Sequence, residues 1–164
     1  MLNIVLLEPE MPANTGNIGR TCVITGSSLH LIEPLGFRIN EKQLKRAGLD
    51  YWPRLDVHLY ANVEEFYDSI GPDARVFYAT TKGKKRHSDV EFRDGDYIMF
   101  GKESAGIPEE ILVEHPDTCI RIPMLPEERS LNLANSVAIV TYEALRQMDY
   151  PGLETEGDLH RLEW

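Results

Sequence analysis

The sequence predicts an α/β domain built on a mostly parallel sheet flanked by helices. Short apolar runs rich in β-branched residues recur along the chain, and turn-forming residues bound each of them. Segments with helical periodicity lie between most of these runs. Alternation of this kind is typical of a parallel sheet whose strands are joined by crossover helices.

Six segments are predicted to be strands. Each is a continuous apolar run rather than a strictly alternating one, which is typical of strands buried on both faces of a sheet. The predicted strands cover residues 2–7, 29–32, 57–60, 76–79, 97–100 and 120–122.

Helices are predicted between the strands and after the last of them. The final helix, residues 132–148, carries an apolar stripe at helical spacing that runs from Leu133 through Val137 to Met148. A helix over residues 108–113 begins with a proline, which favours the first helical position. The remaining predicted helices cover residues 17–25, 41–47 and 62–69.

The chain has the size of one ordinary domain, at 164 residues. We expect that domain to span residues 1–152 and a polar tail to occupy residues 153–164. No run approaches the roughly 20 apolar residues of a membrane helix, so no membrane association is predicted. The amino terminus has neither the basic leader nor the cleavage site of a signal peptide, so we expect a cytoplasmic protein.

Several common chemistries lack sequence support. The chain contains no glycine-rich dinucleotide motif, P-loop, zinc-protease motif or serine-hydrolase motif. Its five histidines are scattered without the spacing of ligands, and no metal site is predicted. The two cysteines, Cys22 and Cys119, lie far apart in apolar contexts, which favours buried free thiols over a disulfide or a metal pair.

The charge of the chain is unevenly distributed. A formal net charge of −10 argues against a generic nucleic-acid binder, because Lys and Arg supply most non-specific affinity for phosphates. Basic residues nevertheless gather in two clusters, and these predict a local phosphate-binding face; solvated loops and helix faces are the alternative interpretation. The candidate RNA-binding residues are Lys42, Lys45, Arg46, Lys82, Lys84, Lys85 and Arg86.

Three small motifs follow predicted strands. They are N-T-G-N-I-G-R at residues 14–20, F-G-K-E-S-A-G at residues 100–106, and a segment over residues 122–136 that runs from I-P-M to S-L-N-L-A-N-S. Ligands bind at the carboxyl ends of parallel strands, where loops and helix N-termini meet in a shared crevice. The three motifs are therefore predicted to form one site.

Taken together, the three motifs resemble the SPOUT superfamily of RNA methyltransferases, in its 2′-O-methylating branch. Further stretches at residues 1–10, 30–37, 46–51 and 142–147 resemble the minimal, single-domain TrmL group, and the resemblance covers residues 1–152. It implies methylation of the ribose 2′-oxygen of the tRNA wobble nucleotide, in the anticodon loop, with S-adenosyl-L-methionine as cofactor. It also implies a homodimer and a deep C-terminal trefoil knot.

The resemblance assigns catalytic roles to Arg20, Asn14, Ser130 and Asn132. Arg20 would contact the reacting ribose or phosphate. Because the pKa of arginine exceeds about 12, we expect hydrogen bonding and charge stabilisation, with direct proton removal as the alternative. Asn14 would orient Arg20 or fix the turn, and Ser130 and Asn132 would supply polar contacts. Asn and Ser are also ordinary residues at turns and helix caps.

The resemblance also implies a cofactor site with closely approaching backbone and an apolar cleft for adenine. Glu103 would bind substrate or neighbouring backbone groups. This sequence has Ser104-Ala105 where the group commonly carries Thr-Arg, so one arginine that could contact RNA is missing. The expected cofactor-binding residues are Ala79, Thr80, Gly101, Glu103, Gly106, Ile122, Met124, Ser130 and Leu131.

Two other functions are weighed against tRNA wobble methylation. The first keeps the same chemistry but acts on ribosomal RNA, although such enzymes usually carry an extra RNA-binding domain. The second is a non-catalytic RNA-binding module of the same fold. The presence of Arg20, Ser130 and Asn132 argues against the second alternative, whereas the negative net charge of the chain favours it.

Overall fold

The computed structural model describes residues 1–38 and 51–164, and its core is a seven-stranded sheet. All strand pairings are parallel, and the strand order is β3-β2-β1-β6-β4-β7-β5. The strands are β1 Asn3–Leu7, β2 Ser28–Ile32, β3 Val57–Tyr60, β4 Val76–Ala79, β5 Lys85–Arg86, β6 Tyr97–Phe100 and β7 Cys119–Arg121. This architecture confirms the predicted fold class, while the knot stays an implication of the resemblance.

The predicted strands agree closely with the structure. Three of them coincide with β3, β4 and β6, those for β1 and β2 differ by one residue at the start, and that for β7 is displaced by one residue. The two-residue strand β5 was not predicted, because Lys85 and Arg86 are both exposed at the edge of the sheet and give no apolar run. A parallel partner, β7, aligns Arg86 with Arg121.

The helices in the described part of the chain are α1 Pro12–Thr25, α2 Val63–Ile70, α3 Glu109–Leu112 and α4 Leu133–Gln147, with a 3₁₀ turn at Trp52–Arg54. Asn62 caps α2 by accepting a hydrogen bond from the backbone N–H of Glu65 at 2.8 Å. The predicted helix at 41–47, together with Lys42, Lys45 and Arg46, lies outside the described residues.

The prediction for the first helix was wrong at its start. Helix α1 begins at Pro12, five residues before the predicted position, and proline fits the first turn because its missing N–H is not needed there. Of the two roles considered for Asn14, fixing a turn is ruled out, because Asn14 and Gly16 are helical and buried. Arg20 consequently lies in the third turn of α1.

The sheet separates two apolar cores, as the two-residue period of a strand requires. In β1, Ile4 and Leu6 pack with α1 and α4 on one face, and Val5 and Leu7 pack with α2 and α3 on the other. The stripe predicted on α4 is confirmed, since Val137, Val140, Thr141 and Ala144 are fully buried. Both cysteines are buried and free, as expected.

The segment after α4 is mostly exposed. Leu162 and Trp164 expose 72% and 91% of their surface, and the Trp164 indole donates only to the carbonyl of Gly157 within the same segment. None of the helices in the described ranges is long and apolar enough to cross a membrane.

Candidate active site

The three sequence motifs meet at one cavity, as predicted. It has a volume of about 610 Å³ and opens at the carboxyl ends of β4, β6 and β7. Loops after β4 and β6 form one side, and the segment from Ile122 to the start of α4 forms another. Met11 and Asn14, from the start of α1, complete the wall.

Every residue expected to bind the cofactor lines this cavity: Ala79, Thr80, Gly101, Glu103, Gly106, Ile122, Met124, Ser130 and Leu131. Asn14 and Asn132, two of the candidate catalytic residues, line it as well. Arg20 does not, because it lies on the exposed side of α1. Asn14 and Arg20 are six residues apart, so their side chains point about 120° apart around the helix axis.

The loop after β6 folds back tightly on itself. The backbone N–H of Gly106 donates to the carbonyl of Lys102 at 2.8 Å, and Gly106 has a φ of 71°, a conformation that suits glycine. A Cβ on Gly101 would overlap the backbone of Gly106 and Ile107. Gly101 and Gly106 therefore allow two parts of the loop to pack against each other, backbone to backbone.

Glu103 anchors the amino terminus of α1 to this loop. Its carboxylate accepts hydrogen bonds from the backbone N–H of Glu10 at 2.8 Å and of Met11 at 3.1 Å, and from the side chain of Asn14 at 3.1 Å. Burial alone would raise the pKa of Glu103, but these hydrogen bonds outweigh it and lower the pKa. The charge also lies at the positive end of the α1 dipole.

Further contacts join the loops after β1 and β6. Lys102 pairs with Glu8 at 2.8 Å, while Glu10 accepts hydrogen bonds from the backbone and hydroxyl of Ser104 at 2.8 and 2.9 Å. Sequence reasoning missed these pairs, because partners more than 90 residues apart leave no local pattern. The contacts hold the start of α1 against one wall of the cavity.

Asn132 serves two roles at the start of α4. Its side-chain oxygen caps the helix by accepting from the backbone N–H of Asn135 at 3.2 Å, and its amide donates to Oδ1 of Asn14 at 3.0 Å. Asn132 therefore caps α4 and contacts Asn14 at the same time. Through Asn14, the start of α4 is linked to Glu103.

The described part of the basic face is largely neutralised by acids. Lys82 pairs with Glu109 at 3.0 Å, Lys85 with Asp117 at 3.4 Å, and Arg86 with Asp89 at 2.7 Å. Lys84 is exposed and has no carboxylate within 4.0 Å among the residues that the structure describes. Side chains lining the cavity that sequence reasoning did not single out include Met11, Lys102 and Arg129.

No group of three or more His, Cys, Asp or Glu side chains is placed to hold a metal ion within residues 1–38 and 51–164. The buried histidine, His30, instead sits in an aromatic cluster. Its ring stacks on that of His58, with centroids 4.7 Å apart.

Comparison with known proteins identifies the family. The model of the SpoU rRNA Methylase family matches residues 1–142. Proteins named tRNA (cytidine(34)-2'-O)-methyltransferase from Aeromonas hydrophila and Escherichia coli are 53% and 52% identical over 153 residues, with 93% of this chain and 97% of each relative covered. A solved structure described as "Structural insights into the 2-OH methylation of C/U34 on tRNA" is 46% identical, has a TM-score of 0.85, and aligns over 91% of this chain and 97% of its own. The chain belongs to the SpoU rRNA methylase family.

Proposed function

We propose that this protein is an S-adenosylmethionine-dependent tRNA methyltransferase that acts on the ribose 2′-oxygen of nucleotide 34, a cytidine or a uridine. The observation that carries the proposal is the identity above 50% with relatives of that name over nearly the whole chain. The cavity supports it, because the motifs that suggested this chemistry all contribute residues to its lining.

The cavity fits S-adenosylmethionine in size and chemistry. Its volume of about 610 Å³ lies within the range of about 300–1,000 Å³ that is usual for small-molecule sites. Ile122, Met124 and Leu131 give an apolar wall for the adenine, and Thr80, Ser130 and Asn132 add polar groups to the lining. The bound cofactor supplies an electrophilic methyl group.

The residues of this chain position and stabilise the ribose hydroxyl. A ribose hydroxyl is a weak nucleophile, so its developing charge needs a donor and its oxygen needs a fixed orientation. Arg20 supplies the charge stabilisation, since a guanidinium donates hydrogen bonds and is a poor base. Asn14, Ser130 and Asn132 orient the reacting groups, and Glu103 holds Asn14.

The protein acts as a homodimer in this proposal. Arg20 and Ile24 lie four residues apart on one face of α1, where Ile24 exposes 57% of its surface. Helix α4 packs on α1 and exposes Ile139 and Tyr142 by 39% and 43%. A second copy covering this apolar face would bring its own Arg20 to a cavity that the Arg20 of the same chain does not line.

The substrate is the tRNA anticodon loop, and the compartment is the cytoplasm. Two buried free thiols are consistent with a reducing compartment. Both basic clusters of the sequence are proposed to bind the RNA: Lys42, Lys45 and Arg46, which lie outside the described residues, form the first, and Lys82, Lys84, Lys85 and Arg86 form the second. In the second cluster, Lys84 is the cation that no acid in the described residues offsets.

Methyl transfer to bulk tRNA from labelled S-adenosylmethionine tests the proposal. We expect label in tRNA, and mapping of the product should place it on the 2′-oxygen of nucleotide 34. Label in ribosomal RNA but not in tRNA would favour the ribosomal alternative. RNA binding without turnover or cofactor binding would favour a non-catalytic module.

A further inference from the structure

The cations that line the cavity differ in whether an acid neutralises them. Lys82 pairs with Glu109, and Lys102 pairs with Glu8. Arg129 is exposed and has no carboxylate within 4.0 Å among the residues described, although Glu127 and Glu128 precede it in the chain. The carboxylate of Glu103, the acid in the cavity wall, already accepts hydrogen bonds from two backbone N–H groups at the amino terminus of α1. The cavity therefore has one cation whose charge is available to a ligand.

The position of Arg129 favours a phosphate as that ligand. Arg129 directly precedes Ser130 and lies on the amino-terminal side of α4, whose dipole presents its positive end there. A guanidinium donates two parallel hydrogen bonds to phosphate oxygens, and this geometry gives orientation as well as attraction. An exposed location at the cavity wall is accessible to a polymer that cannot enter the cavity.

We propose that Arg129 binds a backbone phosphate of the RNA substrate at the mouth of the cavity, close to the ribose that is methylated. This inference rests on the proposed function and deepens it. It assigns the phosphate contact to a residue that lies outside both basic clusters recognised in the sequence.

The test compares Arg129→Ala, Arg129→Lys and a control with the same loss of charge, Arg93→Gln. Arg93 is exposed, pairs with Glu91, and lies in a separate cleft at the opposite end of β4 from the cavity. Binding of bulk tRNA is measured at several salt concentrations, methyl transfer gives KM and kcat, and calorimetry gives the Kd for S-adenosylhomocysteine.

We expect Arg129→Ala to lower the slope of log K against log salt by about 0.7–0.9, the value of one phosphate contact. The KM for tRNA should rise about tenfold or more, while the Kd for S-adenosylhomocysteine stays within twofold of the wild type. Arg129→Lys should keep the slope but recover only part of the KM, because an ammonium lacks the bidentate geometry. Arg93→Gln should behave as the wild type in all three measurements.

Two results would overturn the inference. An unchanged slope and KM in Arg129→Ala would show that Arg129 does not bind RNA. A tenfold weaker binding of S-adenosylhomocysteine with an unchanged slope would assign the guanidinium to the cofactor carboxylate instead. Failure of the wild-type protein to methylate tRNA would count against the proposed function, and it is measured separately.

Discussion

Asn132 donates a hydrogen bond from its side-chain amide to Oδ1 of Asn14 across 3.0 Å, although 118 residues separate the two. Asn14 in turn donates to Glu103 at 3.1 Å. One chain of hydrogen bonds therefore connects the start of α4, the first turn of α1 and the loop after β6. Each of the three sequence motifs contributes one member.

The substitution Asn132→Asp should keep the helix cap of α4 and remove the hydrogen bond to Asn14. An aspartate still accepts from the backbone of Asn135, but it cannot donate to Asn14. We expect the free energy of unfolding to change little and kcat for methyl transfer to fall about 10²-fold, since small displacements of reacting groups cost that much. Urea unfolding and single-turnover kinetics measure the two effects.

Asn135→Asp is the matched control for that experiment. It makes the same chemical change one turn further along α4, on an exposed side chain that does not line the cavity. Equal losses of kcat in the two variants would mean that the added charge is responsible, and the proposed link to Asn14 would be wrong.

Local sequence predicted the strands and the location of the site well. Strands β4 and β6 are apolar runs between turn residues, and burial on both faces demands that pattern. Strand β3 was predicted to be buried as well, but it exposes His58 and Leu59. The convergence of the motifs followed from a general property of parallel sheets, in which loops after the strands share one edge. The strands and the location of the site could both be predicted because they depend on short segments of neighbouring residues.

The start of α1 and the contacts between loops could not be predicted in this way. Helix α1 begins at Pro12 without a side-chain cap of its own, because Glu103 from a distant loop binds the preceding backbone N–H groups. The pairs Glu8–Lys102 and Glu10–Ser104 also depend on tertiary structure. Arg20 points away from the cavity of its own chain. This orientation depends on where α1 begins, which the local sequence did not predict.

Replacing Arg20 by alanine tests the proposed chemistry. We expect methyl transfer to fall by about 10²–10³, the usual effect of losing one stabilising donor in an active site. The Kd for S-adenosylmethionine should stay near that of the wild type, because Arg20 does not line the cavity of its own chain. Wild-type turnover in this variant would remove Arg20 from the mechanism.

Mixing two inactive variants tests whether Arg20 acts across a dimer. Subunits carrying Arg20→Ala are exchanged with subunits carrying Asn132→Asp. If a second copy supplies Arg20, mixed dimers contain one site with both residues intact, and methyl transfer should reappear. If Arg20 serves its own chain, each mixed site lacks one of the two residues and activity should stay at the level of the separate variants.

The substitution Gly101→Ala should distort the tight loop after β6. The added Cβ would overlap the backbone of Gly106 and Ile107, which cannot move as a flexible side chain can. We expect the free energy of unfolding to fall by at least about 1–3 kcal/mol and calorimetric binding of S-adenosylmethionine to be lost. Gly157→Ala is the control, since a Cβ there meets no atom within 4 Å. Normal cofactor binding in Gly101→Ala would show that the conformation of this loop is not needed to bind the cofactor.

His30 is expected to make the stability of the fold depend on pH. Its side chain is almost fully buried, with Nδ1 at 2.9 Å from the hydroxyl of Tyr60 and Nε2 at 3.2 Å from Oδ1 of Asn3. A neutral ring satisfies both contacts, because Nε2–H donates to the amide oxygen while Nδ1 accepts from the hydroxyl. Burial, reinforced by the charge of His58, lowers the pKa of His30 to about 4, although the Asp56 carboxylate opposes the shift.

The sign of the effect follows from the two protonation states. Between the unfolded pKa of about 6.5 and the folded value of about 4, the unfolded chain binds a proton that the folded chain does not. Stability from the neutral ring is therefore present above pH 6.5 and is lost as the pH falls toward 4, by up to about 3 kcal/mol. Urea unfolding at pH 7.5, 6 and 5 should show a steeper loss in the wild type than in His30→Gln, whose side chain does not titrate. His160→Gln, altered in the exposed tail, is the control, and equal pH dependence in the wild type and His30→Gln would contradict the assignment.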